Sequence, residues 1–212
     1  MAVCDKISIN DVRGVYCMDF VFDIGNVLVN FKPKPFLQTL FHNPLLEDKI
    51  NEIIFRSTEW IKLDMGTITQ EEAYAEFCRK EPEYRDIIIE TVNRIPDMLT
   101  PIMPAIGVLP KVREAGHRLF YLSNYHRELS RYIQQKYDFF SLFDGGVFSC
   151  DVHMVKPDPG IYRYFLDKYS LNPQDCVFFD DTEENIRGAQ ASGMRGILFS
   201  GVDEVIKCLK YH

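Results

Sequence analysis

The sequence lacks the features that mark secreted, membrane-spanning and nucleic-acid-binding proteins. Its 212 residues contain no apolar leader at the N-terminus and no apolar run of transmembrane length. Basic residues are in the minority, 24 against 31 acidic ones, and they form no cluster. The net charge of −7 therefore argues against a nucleic-acid partner. We expect a soluble, cytoplasmic protein that binds neither nucleic acid nor membranes.

Paired cysteines are missing as well. The six cysteines are scattered without a CxxC pair, at Cys4, Cys17, Cys78, Cys150, Cys176 and Cys208. Cys17, Cys150 and Cys176 lie in or beside apolar, strand-like segments, where a thiol behaves as a small hydrophobic group. This usage is typical of a reducing compartment and not of a disulfide framework.

From residue 104 onward, strands alternate with helices. The apolar patterns predict strands at Arg118–Leu122, Val147–Cys150, Val177–Phe179 and Gly196–Phe199. Between and around them we expect helices at Ile106–Ala115, Glu128–Tyr137, Pro159–Tyr169, Glu183–Ser192 and Val202–Leu209, with Gly116 and Gly193 ending the first and fourth. The alternation is typical of βαβ units and predicts an α/β fold with a parallel sheet.

An earlier apolar strand begins at Met18 and ends at Asp23, after a polar lead-in at residues 1–17. Its continuously apolar pattern predicts burial on both faces of a parallel sheet, with Gly25 allowing a tight turn after it. A lone strand followed only by helices would have no partner. We therefore assign residues 1–31 and 104–212 to one α/β core domain and residues 32–103 to an inserted helical cap.

The insertion has helical periodicity and no convincing strand. Thr69 and Glu72 form a capping box, which predicts the start of a helix. A second helix is expected from Tyr84 to Ile95, stopped by Pro96. Trp60, the one tryptophan of the chain, fits the buried face of a further helix.

Polar residues follow each strand end that can be placed. They are Asp23 after the first strand, Ser123 and Asn124 after the second, Lys156 in the loop after the third, and Asp180 with Asp181 after the fourth. The carboxyl ends of parallel strands share one edge of the sheet, where open α/β folds bind ligands. A carboxylate can attack phosphorus, while a hydroxyl and a lysine can hold the phosphoryl oxygens. A carboxylate cluster can hold Mg²⁺. The combination points to phosphoryl transfer.

The order of these residues resembles that in haloacid dehalogenase-like (HAD-like) hydrolases. The matching motifs are Phe22-Asp23-Ile24-Gly25-Asn26-Val27-Leu28, Leu122-Ser123-Asn124, Val155-Lys156-Pro157 and Phe179-Asp180-Asp181-Thr182-Glu183-Glu184-Asn185, and they span nearly the whole chain. The resemblance implies a Rossmann-like core with an inserted helical cap. It implies that Asp23 is the nucleophile and that Ser123, Asn124 and Lys156 bind phosphate, with Lys156 also catalytic. Mg²⁺ would be held by Asp23, the Gly25 carbonyl and Asp181, with Asp180 as a second or outer carboxylate.

A segment of the insertion resembles the cap of one branch of that family, the α-glucose-1-phosphate phosphatase-like enzymes. It comprises Trp60, Asp64-Met65-Gly66-Thr67-Ile68 and Glu71-Glu72-Ala73. The resemblance implies a Mg²⁺-dependent phosphatase of small phosphorylated metabolites, such as hexose 1-phosphates, acting through an aspartyl-phosphate. The alternatives are a haloacid dehalogenase-type hydrolase and a catalytically weak HAD-like binding protein.

Gly25 departs from the family pattern, because most phosphatases of the family carry a second aspartate there as a general acid. Loss of a general acid typically costs about 10²–10⁴-fold in rate. Either another group or water supplies the proton, or the leaving group needs little help, as an anomeric sugar hydroxyl would. His126, three residues after Ser123, is a candidate donor. Asn185 also stands where relatives often have an acidic residue.

Overall fold

The computed structural model describes residues 17–210, and a five-stranded parallel sheet lies at its centre. The strands are β1 (Asp19–Phe22), β2 (Arg118–Ser123), β3 (Gly145–Phe148), β4 (Cys176–Asp180) and β5 (Arg195–Leu198). They lie in the order β3-β2-β1-β4-β5, and every neighbouring pair is parallel. The predicted α/β fold is therefore confirmed. The predicted polar lead-in falls, except for Cys17, outside the described residues.

Eleven helices surround the sheet in the described part of the chain. They are α1 (Pro33–Phe41), α2 (Pro44–Ile53), α3 (Thr58–Asp64), α4 (Gln70–Lys80), α5 (Arg85–Met98), α6 (Met103–Ile106), α7 (Leu109–Glu114), α8 (Arg127–Lys136), α9 (Pro159–Tyr169), α10 (Glu183–Ala191) and α11 (Val202–Lys210). Between residues 17 and 210, none of them is both long and apolar enough to cross a membrane. The five cysteines in this range are free thiols.

Strand β1 is buried on both faces, which explains its uninterrupted apolar sequence. Phe20 and Phe22 face one side, where both stack on Phe179 of β4. This side belongs to a core that also contains buried residues of α2 to α5 and of α11. Val21 faces the other side, in a second core built with α9 and α10. The middle strand is therefore held by packing from both layers.

The helices α1 to α5 leave the sheet after β1 and return before β2, although these two strands are neighbours. The segment is thus an insertion in the topological sense, and we call α1–α5 (Pro33–Met98) the helical insertion. Its buried side chains join one of the two sheet cores instead of forming a separate one. The capping box is confirmed: Thr69 Oγ1 accepts from the Glu72 N–H, and Glu72 accepts from the Thr69 N–H.

Two predicted helices differ from the structure by more than one residue. Helix α5 runs through Pro96 to Met98 and does not stop at Ile95. Because Pro96 lies in the last turn, the missing N–H and the ring affect only the end of the helix. The single helix predicted at Ile106–Ala115 is two short helices, α6 and α7, separated at Gly107 and Val108. Gly116 and Gly193 do end their helices, with φ values of 85° and 88°.

Strand β3 lies two residues earlier than predicted, and Ser149–Asp151 forms a 3₁₀ turn after it. The apolar pattern hid this because β3 begins with two glycines. A Cβ on Gly146 would lie 2.4 Å from the ring of Tyr121, so this strand position requires a residue without a side chain. Strand β5 is likewise one residue earlier than predicted, at Arg195–Leu198.

Candidate active site

The carboxyl ends of β1, β2 and β4 bring the sequence-predicted residues to one place. Asp23 directly follows β1, and its N–H donates to the Phe179 carbonyl of β4 at 2.8 Å. The chain order reverses between β1 and β4, which makes this edge the switch point where α/β sheets bind ligands. Ser123, Lys156 and Asp180 all lie within contact of Asp23 or of one another.

One oxygen of Asp23 is held and the other is not. Ser123 Oγ donates to Asp23 Oδ1 at 2.5 Å, and Lys156 Nζ lies 2.9 Å from the same oxygen. Asp23 Oδ2 has no hydrogen-bond partner among residues 17–210. Burial raises the pKa of Asp23 to about 7, with the charge of Lys156 opposing the shift and that of Asp180 adding to it. The carboxylate is therefore oriented and desolvated, with one oxygen available.

Lys156 joins two carboxylates. Its Nζ lies 2.9 Å from Asp23 Oδ1 and 2.5 Å from Asp180 Oδ2, and its side chain is 1% exposed. Desolvation lowers the pKa of Lys156, but the charges of Asp23 and Asp180 outweigh it and hold the pKa above its ordinary value. The lysine is therefore a buried ammonium group at the centre of the cluster.

Asn124 positions the loop that carries this lysine. Its side-chain Nδ2 donates to the Lys156 carbonyl at 3.0 Å, and its Oδ1 accepts from the Lys156 N–H at 2.8 Å. Asn124 also lines the cavity described below. Both ends of its amide are occupied by backbone, so its observed contacts orient Lys156.

Three carboxylates meet beside the lysine. One oxygen each of Asp23, Asp180 and Asp181 lies within 4.8 Å of the others. Asp180 is fully buried and accepts from Lys156, from the Thr182 N–H at 2.8 Å and from Asn185 Nδ2 at 3.1 Å. Asp181 is exposed, and desolvation together with the charge of Asp180 raises its pKa. A set of hard oxygen donors that repel one another fits a divalent cation such as Mg²⁺.

The turn after Asp23 leaves open space at Gly25. Of the residues that the structure describes, a Cβ there would meet Phe31, at 3.9 Å from its Cβ, and Asp23, at 4.0 Å from its Oδ2. The left-handed residue of this turn is Asn26, with φ of 54°, and not Gly25. The Asn26 side chain accepts from the Phe31 N–H at 2.9 Å and hydrogen-bonds Asp181. Gly25 therefore matters for its missing side chain and not for a positive φ.

A cavity of about 200 Å³ opens over these residues. Its polar wall comes from the strand ends, and its apolar wall includes Phe31, Trp60 and Leu129. The full lining is Asp23, Gly25, Asn26, Phe31, Trp60, Asp64, Asn124, Tyr125, His126, Leu129, Lys156, Asp181, Thr182 and Asn185. Trp60 is 6% exposed, so the prediction of a core residue is confirmed, and the same side chain also borders the cavity.

Two lining residues bear on proton transfer. His126 Nδ1 lies 3.2 Å from Glu128 Oε2, and its buried Nε2 has no hydrogen-bond partner in the described part of the chain. Asp64, at the end of α3, was part of the cap motif but received no role from the sequence. Burial raises its pKa to about 7, the His126 N–H opposes that shift, and the charge of Asp23 adds to it. The position of Asp64 directly before a Met-Gly turn was the only sequence signal that pointed to it.

Comparison with known proteins agrees with this arrangement. Residues 20–193 match the family model described as haloacid dehalogenase-like hydrolase. The chain therefore belongs to the haloacid dehalogenase-like hydrolases. This is the family that the four strand-end motifs resembled in the sequence.

Individual relatives are more distant. The sesquiterpene phosphatase astK of Aspergillus oryzae is 23% identical over 90% of this chain and 92% of its own length. The drimenol cyclase drtB of Aspergillus calidoustus is 27% identical over 87% of this chain, which spans only 34% of that protein. Among solved structures, a HAD family enzyme of Bacteroides thetaiotaomicron, in complex with magnesium and inorganic phosphate, is similar with a TM-score of 0.68. It is 18% identical, over 87% of this chain and 95% of its own.

Proposed function

We propose that this chain is a Mg²⁺-dependent phosphatase that hydrolyses small phosphorylated metabolites through an aspartyl-phosphate on Asp23. The observation that carries the proposal is the arrangement of Asp23: Ser123 and Lys156 hold its Oδ1, while its Oδ2 has no hydrogen-bond partner in the described part of the chain. A carboxylate oriented in this way is suited to attack on phosphorus. The phosphatase among the relatives and the phosphate-bound structural neighbour support the same reaction class.

In this reaction Asp23 Oδ2 attacks phosphorus, and the bond to the leaving-group oxygen breaks. Ser123 and Lys156 keep the carboxylate in place, and the Lys156 ammonium stabilises the charge that spreads over the phosphoryl oxygens. Asn124 contributes by fixing the backbone of Lys156. Water then attacks the phosphorus of the aspartyl-phosphate, which releases phosphate and restores Asp23.

Asp23, Asp181 and the Gly25 carbonyl are proposed to hold Mg²⁺. When bound, the cation would supply positive charge that lets these carboxylates and a phosphate dianion share one site. Asp180 is proposed as an outer carboxylate, because its oxygens already accept from Lys156, Thr182 and Asn185. The exposed Asp181 is the member of the pair left for a cation.

The substrate is proposed to be small, since a cavity of about 200 Å³ is below the range of about 300–1,000 Å³ that is typical of ligand pockets. Sugar phosphates, including hexose 1-phosphates, are the first candidates, because a sugar ring can lie against an aromatic side chain such as Trp60. The apolar wall and the sesquiterpene phosphatase relative favour a second candidate, a prenyl monophosphate. The insertion, which contributes Trp60 to the cavity, is proposed to act as a cap that excludes phosphoproteins and nucleic-acid ends.

The test is release of inorganic phosphate from p-nitrophenyl phosphate with Mg²⁺, with EDTA, and with Ca²⁺. We expect turnover with Mg²⁺, none with EDTA, and little with Ca²⁺, whose looser coordination misplaces the nucleophile. Asp23→Asn keeps the shape of the side chain and should abolish turnover while the thermal melt shows an intact fold. A panel of sugar 1-phosphates, sugar 6-phosphates and prenyl monophosphates then identifies the substrate class.

Three outcomes would decide against the proposal. Near-normal turnover by a folded Asp23→Asn protein removes the nucleophile assignment. Halide release from 2-haloacids that survives chelation, without phosphatase activity, would instead identify a dehalogenase-type hydrolase. Binding of phosphorylated ligands without turnover would identify the catalytically weak binding protein.

A further inference from the structure

The site has a nucleophile and phosphate-binding groups but no acid beside Asp23 in the chain. The position where a side chain could stand, Gly25, is open space next to Asp23 Oδ2. Expulsion of an alcohol needs a proton on its oxygen, and a positioned acid typically contributes about 10²–10⁴-fold. The carboxyl groups that line the cavity are Asp23, Asp181 and Asp64. Of these, Asp64 is the one that the proposed function leaves unused.

Asp64 comes from the helical insertion, yet its turn is attached to the sheet domain. Ser149 Oγ donates to the Asp64 carbonyl at 2.5 Å, and His153 Nδ1 lies 2.9 Å from the Met65 carbonyl. Gly66, with φ of 64°, packs so closely that a Cβ would lie 2.3 Å from the Cys150 carbonyl oxygen. Three consecutive residues are thus seated on the 3₁₀ turn Ser149–Asp151 and the loop after it.

The Asp64 side chain is also oriented. Its carboxyl group accepts a hydrogen bond from the His126 N–H, at the start of α8, and borders the same cavity as Asp23. A hydrogen bond to one oxygen leaves the other free for a proton and a ligand. This arrangement is a positioned carboxyl group with a defined contact and not a loose surface carboxylate.

We propose that Asp64 is the general acid and base of the reaction, supplied by the insertion in place of the acid that Gly25 lacks. The inference rests on the proposed phosphatase function. As the bond between phosphorus and the leaving-group oxygen breaks, its electron pair goes to that oxygen, which takes the proton of the Asp64 carboxyl group and leaves as an alcohol. In the second step the Asp64 carboxylate takes a proton from the attacking water, whose oxygen bonds to phosphorus as the bond to Asp23 breaks. Asp64 is then protonated again.

The electrostatics of the site agree with this role. A pKa of about 7, raised by burial, leaves much of Asp64 protonated near neutral pH, whereas an ordinary aspartate would be almost fully ionised. His126 is the competing donor, since its Nε2 is buried and has no hydrogen-bond partner within residues 17–210. Its ring, however, stands edge-on to Trp60 at a centroid distance of 5.3 Å, and its Nδ1 is engaged with Glu128.

The test is the dependence of kcat/KM on leaving-group acidity, because this constant reports the step in which the alcohol leaves. The substrates are 2,4-dinitrophenyl, p-nitrophenyl, phenyl and alkyl phosphates. We expect a shallow dependence for the wild-type protein. Asp64→Asn should lose about 10²–10⁴-fold on alkyl phosphates and little on 2,4-dinitrophenyl phosphate, whose phenolate leaves without a proton. The inhibition constant of inorganic phosphate should be the same for Asp64→Asn as for the wild type, whereas a structural defect of the site would change it.

A rescue experiment uses the open space at Gly25. In the Asp64→Asn background, Gly25→Asp should make the dependence of kcat/KM on leaving-group acidity shallow again. The matched control Gly25→Asn should not. The neighbouring variant His126→Gln should keep the wild-type slope, because Asp64 is held by the backbone N–H of residue 126. If Asp64→Asn does not fold, as judged by its thermal melt, Asp64→Ser is measured instead and interpreted in the same way.

The outcomes separate this inference from the proposed function. If the wild-type protein is active and Asp64→Asn keeps the wild-type slope, the role of Asp64 is wrong but the proposed function is not affected. A steep slope in His126→Gln with a shallow one in Asp64→Asn assigns the proton to the histidine. A wild-type protein that does not cleave 2,4-dinitrophenyl phosphate at all overturns the proposed function, and this inference with it.

Discussion

The substitution Lys156→Met tests the electrostatics of the whole site. Methionine keeps an unbranched chain but removes the ammonium group that contacts Asp23 at 2.9 Å and Asp180 at 2.5 Å. Removal of one partner from a buried ion pair typically costs about 3–5 kcal/mol, because the remaining charge is left unpaired. Here two buried carboxylates lose the same partner. We therefore expect the free energy of unfolding to fall by at least the lower end of that range at pH 8.

The loss should depend on pH in a defined direction. The pKa of Asp23 is already about 7 in the folded protein, above its value of 3.8 in an unfolded chain, and loss of Lys156 raises it further. The folded state then binds a proton on Asp23 more tightly than the unfolded state does. The contribution of Asp23 to stability is therefore fully present below about pH 4 and is lost as the pH rises toward and beyond 7. The variant should therefore differ from the wild type less at pH 5 than at pH 8.

Urea unfolding without added metal, followed by the fluorescence of the single tryptophan, Trp60, measures both quantities. The matched control is Lys111→Met, at an exposed lysine of α7, which should change stability little at either pH. A Lys156→Met protein as stable as the wild type at pH 8, or one with an unchanged pH dependence, would show that the lysine does not hold the carboxylates together. The measurement does not depend on catalytic activity.

Two further substitutions probe the contacts around the site. Ser123→Ala removes the hydroxyl that donates to Asp23 Oδ1 at 2.5 Å. Because such a charged hydrogen bond contributes about 1.5–3 kcal/mol, kcat for p-nitrophenyl phosphate should fall roughly 10–100-fold while the fold is retained. An unchanged kcat would contradict the positioning role. Gly66→Ala places a Cβ 2.3 Å from the Cys150 carbonyl oxygen at φ of 64°, so it should lower the free energy of unfolding in urea more than Gly116→Ala does. At Gly116 φ is 85°, but no atom of the described residues lies within 4 Å of the added Cβ, and this control should lose only about 1–2 kcal/mol. Equal losses would mean that the Gly66 contact is not tight.

The strand-end residues could be predicted from sequence because their meeting depends on topology. Parallel strands deliver their carboxyl ends to one edge, so Asp23, Ser123, Lys156 and Asp180 needed only the correct strand assignments. Errors of one or two residues in β3 and β5 did not affect this result. The binding and catalytic roles of these residues remain predictions that the experiments above address.

Asp64 was not recognised because its position depends on tertiary docking. No periodicity relates it to Ser149, which is 85 residues away, or to the His126 N–H that its carboxyl group accepts from. Pro96 illustrates the same limit at a smaller scale. The residue was expected to end a helix, but only the structure shows that the last turn continues past it to Met98.

Ser149 explains how the insertion is placed relative to the sheet edge. Its side chain is fully buried, accepts from the Tyr125 N–H at 2.9 Å and donates to the Asp64 carbonyl at 2.5 Å. One hydroxyl therefore joins the loop after β2, which follows Ser123, to the turn that carries Asp64. Because this bond spans the two parts, a shift of the insertion would move the proposed acid relative to the proposed nucleophile. In the proposed reaction, the sheet edge would bind the phosphate, and the insertion would both protonate the leaving group and select it.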